Sequence, residues 1–349
     1  MKRRYTFLLF ILFSLLPLPF IIGVFGEEIF YGALWDAISF QIVYISAVLL
    51  YLMTFIRTKN SSKNFFIYKL MWLQEMFIIS GLSGTIIGFV FTLISIGFPP
   101  DPGVDPTMTL ISNLAISMIT IVYGFMGALT VYLIQKYYEM KHVKTDNINV
   151  EKPREGFLIS SLICFLLLVG FTGLAIQLGT QHIGGIKLLF SSDSIIYHIT
   201  ILIIFILFYR GNSFINLIKN LFWYVPDTET NIIKNLKYIR DMKKILAMII
   251  CIALLCAPIV MLASFSFPSE VVDNTGPFLG LKNGGLQFMW ILYFIILLTI
   301  IEGREVSKLY FETGEISAGD RFYSIKYILA PSFLLFFTFT FGIMISFLL

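Results

Sequence analysis

The amino-acid sequence predicts an all-α polytopic membrane protein, with about nine transmembrane helices and a cytoplasmic N-terminus. Three observations carry this expectation. The 349 residues are 58% hydrophobic and 13% charged, with a mean hydropathy of +0.87. An ordinary soluble domain carries about 25% charge and cannot hide so much apolar surface. The apolar residues gather into stretches near the twenty or so that cross a bilayer. Finally, with Lys2, Arg3 and Arg4 inside, all of the 25 Lys and Arg residues except Lys187 and Lys282 fall on the inner side, the cytoplasmic excess that orients membrane proteins.

The spans read in order as 7–26, 38–56, 73–98, 108–135, 157–178, 194–209, 245–265, 286–302 and 326–347. The first has the basic start and apolar middle of a signal peptide, but no small-x-small cleavage site follows, and Pro17 and Pro19 interrupt it. The third and fourth are long enough to tilt or to project beyond the bilayer. The sixth is the shortest and contains His198. The largest inner loop, 210–244, contains TETNIIKNLKYIRDMKK, in which Ile232, Ile233, Leu236, Ile239 and Met242 form an apolar face among Lys234, Lys237, Arg240, Lys243 and Lys244. Two readings are open there: an amphipathic helix lying on the membrane surface, or an inward extension of the seventh span.

The loop rhythm of spans one to four recurs in spans five to eight. The chain therefore divides into a four-helix unit (1–140), a cytoplasmic linker (141–156), a second four-helix unit (157–310) and an inner loop with a terminal helix (311–349). This is the plan of a tandem repeat plus one helix. No loop is long enough for a separate folded domain.

Catalytic signatures are missing. No Walker loop, dinucleotide fingerprint, GxSxG or HExxH occurs. The three histidines, His142, His182 and His198, share no metal-ligand spacing, and Cys164, Cys251 and Cys256 read as small apolar residues. No enzyme activity, cofactor, metal or nucleic-acid partner is expected. Few ionisable groups enter the spans. His198 is a candidate site, with Tyr197 and Thr200 as neighbours able to satisfy it. Glu75, Glu302 and Arg304 lie near inner ends, where each can reach the interface by snorkelling and Glu302 can also meet Arg304 or Lys308. With no acid at the midplane, a proton path through this chain needs a carboxylate from elsewhere.

The third and fourth spans carry the most informative pattern. Gly81, Thr85, Gly88, Thr92 and Ser95 step by four and three along SGLSGTIIGFVFTLISIG. Asn113, Ser117, Thr120, Gly124 and Gly127 do the same along NLAISMITIVYGFMGA. Each ladder is one face of a helix. In membranes such faces permit close packing and keep polar groups from lipid. Simple packing explains them; so does a narrow polar path.

At these residues the chain resembles the MotA/TolQ/ExbB proton-channel family. The first stretch is similar to that family's GLxGTxxG helix, and NLAISMITIVYGFMGALTVYLIQKYYE to its next helix, with the motif-bearing region covering 69–139. The resemblance implies a homo-oligomer around a single-span MotB/ExbD/TolR-like partner with a transmembrane Asp, passing protons or Na+ to energise a process at a prokaryotic inner membrane. By position, Thr85 and Thr120, with Ser117, Asn113 and Thr92, would face that carboxylate, while Gly81, Gly84, Gly88, Gly124 and Gly127 would allow close approach. Two departures stand out. The loop 57–72 is too short for MotA's rotor-engaging region, and five further spans follow. The alternatives are a secondary transporter working between the two halves, with helices broken at Pro258 and Pro331, or a non-conducting membrane scaffold.

Overall fold

The computed structural model describes residues 36–54, 63–96, 106–141, 155–180, 212–264 and 279–313, together with a few isolated positions. The first and ninth expected spans, most of the sixth, His198 and Pro331 lie outside the described residues. The elements, in chain order, are α1 (Ala37–Thr54), α2 (Lys63–Ile96), α3 (Pro106–Lys141), β1 (Gly156–Phe157), α4 (Ile159–Thr180), α5 (Asn212–Lys219), β2 (Trp223–Tyr224), α6 (Glu229–Ser264) and α7 (Leu279–Thr313). The described fold is all-helical but for the short antiparallel pair β1–β2, in which Gly156 faces Tyr224.

Local chemistry sets the helix starts. Asp36 caps α1: its Oδ1 accepts from the Ile38 N–H at 3.1 Å and its Oδ2 from the Ser39 N–H at 3.2 Å. Pro106 opens α3, where its fixed φ suits the first helical position and its missing N–H costs nothing. Glu229 places an acid in the first turn of α6, against the positive end of the helix dipole.

Four helices are long: α2, α3, α6 and α7 have 34, 36, 36 and 35 residues. Each therefore extends about 50 Å, at about 1.5 Å per residue. Among the described residues, Phe65–Val90 and Ile116–Met140 are long and apolar enough to cross a membrane.

Helix α2 begins at Lys63, inside the stretch read from sequence as the loop 57–72, because KNFFIYKLMW has no breaker and Phe65 stacks on Tyr310 with ring centroids 4.6 Å apart. Helix α6 is continuous from Glu229 through Pro258 to Ser264. The basic stretch 229–244 is thus an extension of the seventh apolar segment, and Pro258 does not break the helix.

The α2–α3 hairpin has the most extensive packing, followed by α6 against α7. Helix α1 touches α2, α3, α4 and α7. Helix α7 is wrapped most completely: every residue from Leu298 to Lys308 is buried. It runs antiparallel to α2, since Trp72 meets Gly303 and Phe65 meets Tyr310, so that paired residue numbers share one sum.

Candidate functional site

The two ladders face each other. Gly81 lies against Gly124, Gly84 against Thr120 and Gly88 against Ser117, while Phe77 reaches Gly124 and Gly127. The residue numbers in these pairs have a nearly constant sum, so α2 and α3 are antiparallel and in register along the whole seam. A Cβ at Gly81 would stand 2.8 Å from both the Gly124 Cα and the Thr120 carbonyl oxygen. Only glycine allows two backbones this close.

Midway along the seam the Thr85 and Thr120 hydroxyls lie 2.8 Å apart, both buried. Thr85 Oγ1 is also 3.1 Å from the Gly81 carbonyl oxygen, and Thr120 Oγ1 is 2.8 Å from that of Ser117. Three contacts thus compete for two hydroxyl protons, since each hydroxyl donates once. If Thr85 donates to Thr120, then Thr120 donates to Ser117; if Thr120 donates to Thr85, then Thr85 donates to Gly81. A rotation of both hydroxyls exchanges the two arrangements. Further along, Thr92 donates to the Gly88 carbonyl at 2.8 Å, and Ser117 is buried. The register sets Asn113 opposite Thr92.

A second polar site lies beyond the seam, on the side of α2 turned from α3. Glu75 precedes Phe77 by two residues, about 200° round the helix. It is buried, with Oε2 lacking a hydrogen-bond partner. Glu302 on α7 is buried too, and accepts from Arg240 Nε at 2.8 Å and from Lys243 Nζ, both on α6. Arg304 donates to the Met53 carbonyl at 2.7 Å, to the Asn220 carbonyl and to Ser161 Oγ. Its charge thus sits at the negative C-terminal end of α1, where main-chain carbonyls lack helical partners. Glu305 accepts from Lys308 at 2.7 Å, Asn220 at 3.1 Å and Asn235 at 3.2 Å. Beside it, burial pushes the Tyr224 phenol up to about 12, with Glu312 and Glu305 adding to the effect, so it stays neutral under ordinary conditions.

The expectation that Glu75, Glu302 and Arg304 snorkel to an interface is therefore corrected: each is 2% exposed, enclosed by protein. Glu302 meets Arg240 and Lys243 rather than Arg304 or Lys308. The reason is the extension of α6, which carries its cations alongside α7. Sequence reading passed over Lys243, although the signal was present. Ile232, Leu236, Ile239, Lys243, Leu246 and Ile250 form one stripe stepping by four and three, all buried, with Lys243 at 0% exposure. A lysine on an apolar stripe must have an acidic partner inside.

Among the described residues, no cluster of His, Cys, Asp and Glu is arranged to hold a metal ion. No protein-family model, no curated protein and no solved structure matches this chain.

Proposed function

We propose that the chain is a multi-pass inner-membrane subunit of channel type, resembling MotA/TolQ/ExbB. In this reading it passes protons or Na+ together with a single-span partner that supplies a transmembrane carboxylate. The Thr85–Thr120 pair is this chain's contribution to the ion site. The observation that carries the reading is the pair itself: two buried hydroxyls, three contacts and two protons, in a glycine-lined seam. Such a pair can offer a proton or a lone pair to a third group by rotation alone. That is what a titrating carboxylate needs from its surroundings in both protonation states.

The outer face of α3 fits a membrane setting. Met118, Val122, Phe125 and Leu129 are exposed on the side away from the seam, as are Ile163, Leu166, Leu167 and Leu174 on α4. Lipid or neighbouring subunits would cover these side chains at no cost to polar groups.

A non-conducting scaffold is the competing reading, and it too has an observation behind it: Thr85, Thr92 and Thr120 each have a hydrogen-bond acceptor within the hairpin. Valine at positions 85 and 120 keeps the shape and removes the hydroxyls. A hydrogen bond to a charged group is worth about 1.5–3 kcal/mol, so ion flux through the native complex should fall about tenfold or more. Unchanged flux in a correctly assembled Thr85→Val/Thr120→Val complex would remove the hydroxyls from the ion path, and a native complex with no flux would favour the scaffold.

A further inference from the structure

Helix α5 and the strand β2 after it face outward, yet they are fastened at their back. The Leu158 N–H donates to the Phe222 carbonyl at 2.7 Å, and Ser161 Oγ donates to the Leu221 carbonyl at 2.8 Å. Phe222 meets Phe165 of α4 edge-on, with ring centroids 5.5 Å apart. Arg304 joins the Asn220 carbonyl to the Met53 carbonyl. Asn220 is therefore level with the end of α1 and the first turn of α4. These are the helix ends that the distribution of Lys and Arg assigns to the cytoplasmic side.

The outward face of this segment is apolar and aromatic, with one cation. Ile215, Ile218 and Lys219 share one side of α5, being three and four residues apart. Ile215 is 64% exposed, and Ile218 is exposed too. The Lys219 ammonium stands 5.5 Å from the centre of the Trp223 ring, and that ring lies 5.8 Å from Phe157; both rings are exposed. Two residues beyond Phe157, Ile159 is 64% exposed and begins the exposed aliphatic stripe that runs along α4. The cluster is thus the inner end of that stripe and not an isolated patch. One bilayer covers stripe and cluster together, with no change of occupant between them. An aliphatic face that ends in tryptophan and lysine suits the level where hydrocarbon gives way to headgroups. There an indole meets both surroundings, and a lysine lays its stem on apolar surface while its ammonium reaches phosphate.

We propose that α5 and β2 form a membrane-interface anchor. Trp223, Phe157, Ile215 and Ile218 insert among phospholipids at the cytoplasmic headgroup level, and Lys219 contacts a lipid phosphate. Through Arg304 and Ser161 the anchor holds the inner ends of α1, α4 and α7 at that level. The inference rests on the multi-pass membrane setting but not on ion passage. It is read in the chain purified alone, so its failure and that of the ion site are distinguishable.

Tryptophan fluorescence of the full-length chain in vesicles of phosphatidylcholine and phosphatidylglycerol tests this. Subtracting the Trp223→Phe spectrum from that of the wild type leaves the Trp223 emission, since Trp35, Trp72 and Trp290 are common to both. Phospholipid brominated next to its headgroup should remove most of that emission. Phospholipid brominated at its chain ends should remove little, and so should acrylamide in the water. Lys219→Glu should open the emission to acrylamide. In the same vesicles Ile215→Cys should react with an impermeant maleimide at a small fraction of the rate of Lys237→Cys, a readout that leaves every tryptophan in place. Trp223 emission quenched by acrylamide and by neither lipid would overturn the anchor. Quenching by none of the three, the mark of a second copy or a partner protein over the cluster, would overturn it as well, as would equal rates in the two cysteine variants. An emission indifferent to Lys219→Glu would overturn the phosphate contact.

Discussion

A single methyl group probes the seam. Gly81→Ala would bring Cβ within 2.8 Å of two backbone atoms on α3, the Gly124 Cα and the Thr120 carbonyl oxygen. Neither can move without parting the helices, so the variant should lose roughly 1–3 kcal/mol, the usual cost of overpacking, read as an earlier thermal unfolding transition. Gly84→Ala meets the Thr120 side chain at 3.0 Å instead; a side chain can shift, and the loss should be smaller. The second polar site predicts a larger effect. Glu302→Gln leaves Arg240 and the fully buried Lys243 without their carboxylate. Breaking a buried pair from one side costs about 3–5 kcal/mol, whereas Lys243→Met together with Glu302→Leu should recover much of the stability. Equal losses in the single and double variants would contradict this. The ladders were legible in the sequence because a small-residue face needs only its spacing. That Thr85 meets Thr120 was not, because the pairing depends on the register between helices, which backbone contact at Gly81 and Gly124 decides.

Arg304 joins elements rather than residues. It closes the C-terminal end of α1 through the Met53 carbonyl, and it reaches Asn220 just after α5 and Ser161 in the first turn of α4. Arg304→Met should leave the Met53 and Asn220 carbonyls without this donor, at about 1–3 kcal/mol for each group left unsatisfied. Hydrogen exchange should rise in the last turn of α1 and around Asn220, ahead of any change in the α2–α3 seam. Helix positions were readable from hydropathy: α1, α2, α3, α4, α6 and α7 each cover an apolar stretch expected from the sequence. Their ends were less so. Helix α2 starts in an expected loop and α6 runs on through the basic stretch, because packing against α7 rewards continuation and no Gly or Pro opposes it at those ends. The short β1–β2 pair left no sequence signal, since two residues on each side have no periodicity to read.

Over the whole molecule, the proposed arrangement places the polar site around Glu302 at the cytoplasmic ends of α2, α6 and α7, and the hydroxyl pair deeper, between α2 and α3. The exposed Lys237 on α6 checks the orientation: a single cysteine there should react with impermeant reagent only from the cytoplasmic face. Among the described residues, α1 packs against α2 and α3 and also against α4 and α7, from later in the chain. That packing was hidden from sequence, where long-range contacts such as Arg304 to Met53 leave no trace. On the proposed function, the Thr85–Thr120 seam is half of an ion site whose acidic half belongs to another chain. Purification of the protein from its native membrane under mild detergent, with identification of what accompanies it, should yield several copies of this chain around a small protein with one transmembrane helix bearing an aspartate. A clean monomer that moves solute by itself would contradict it.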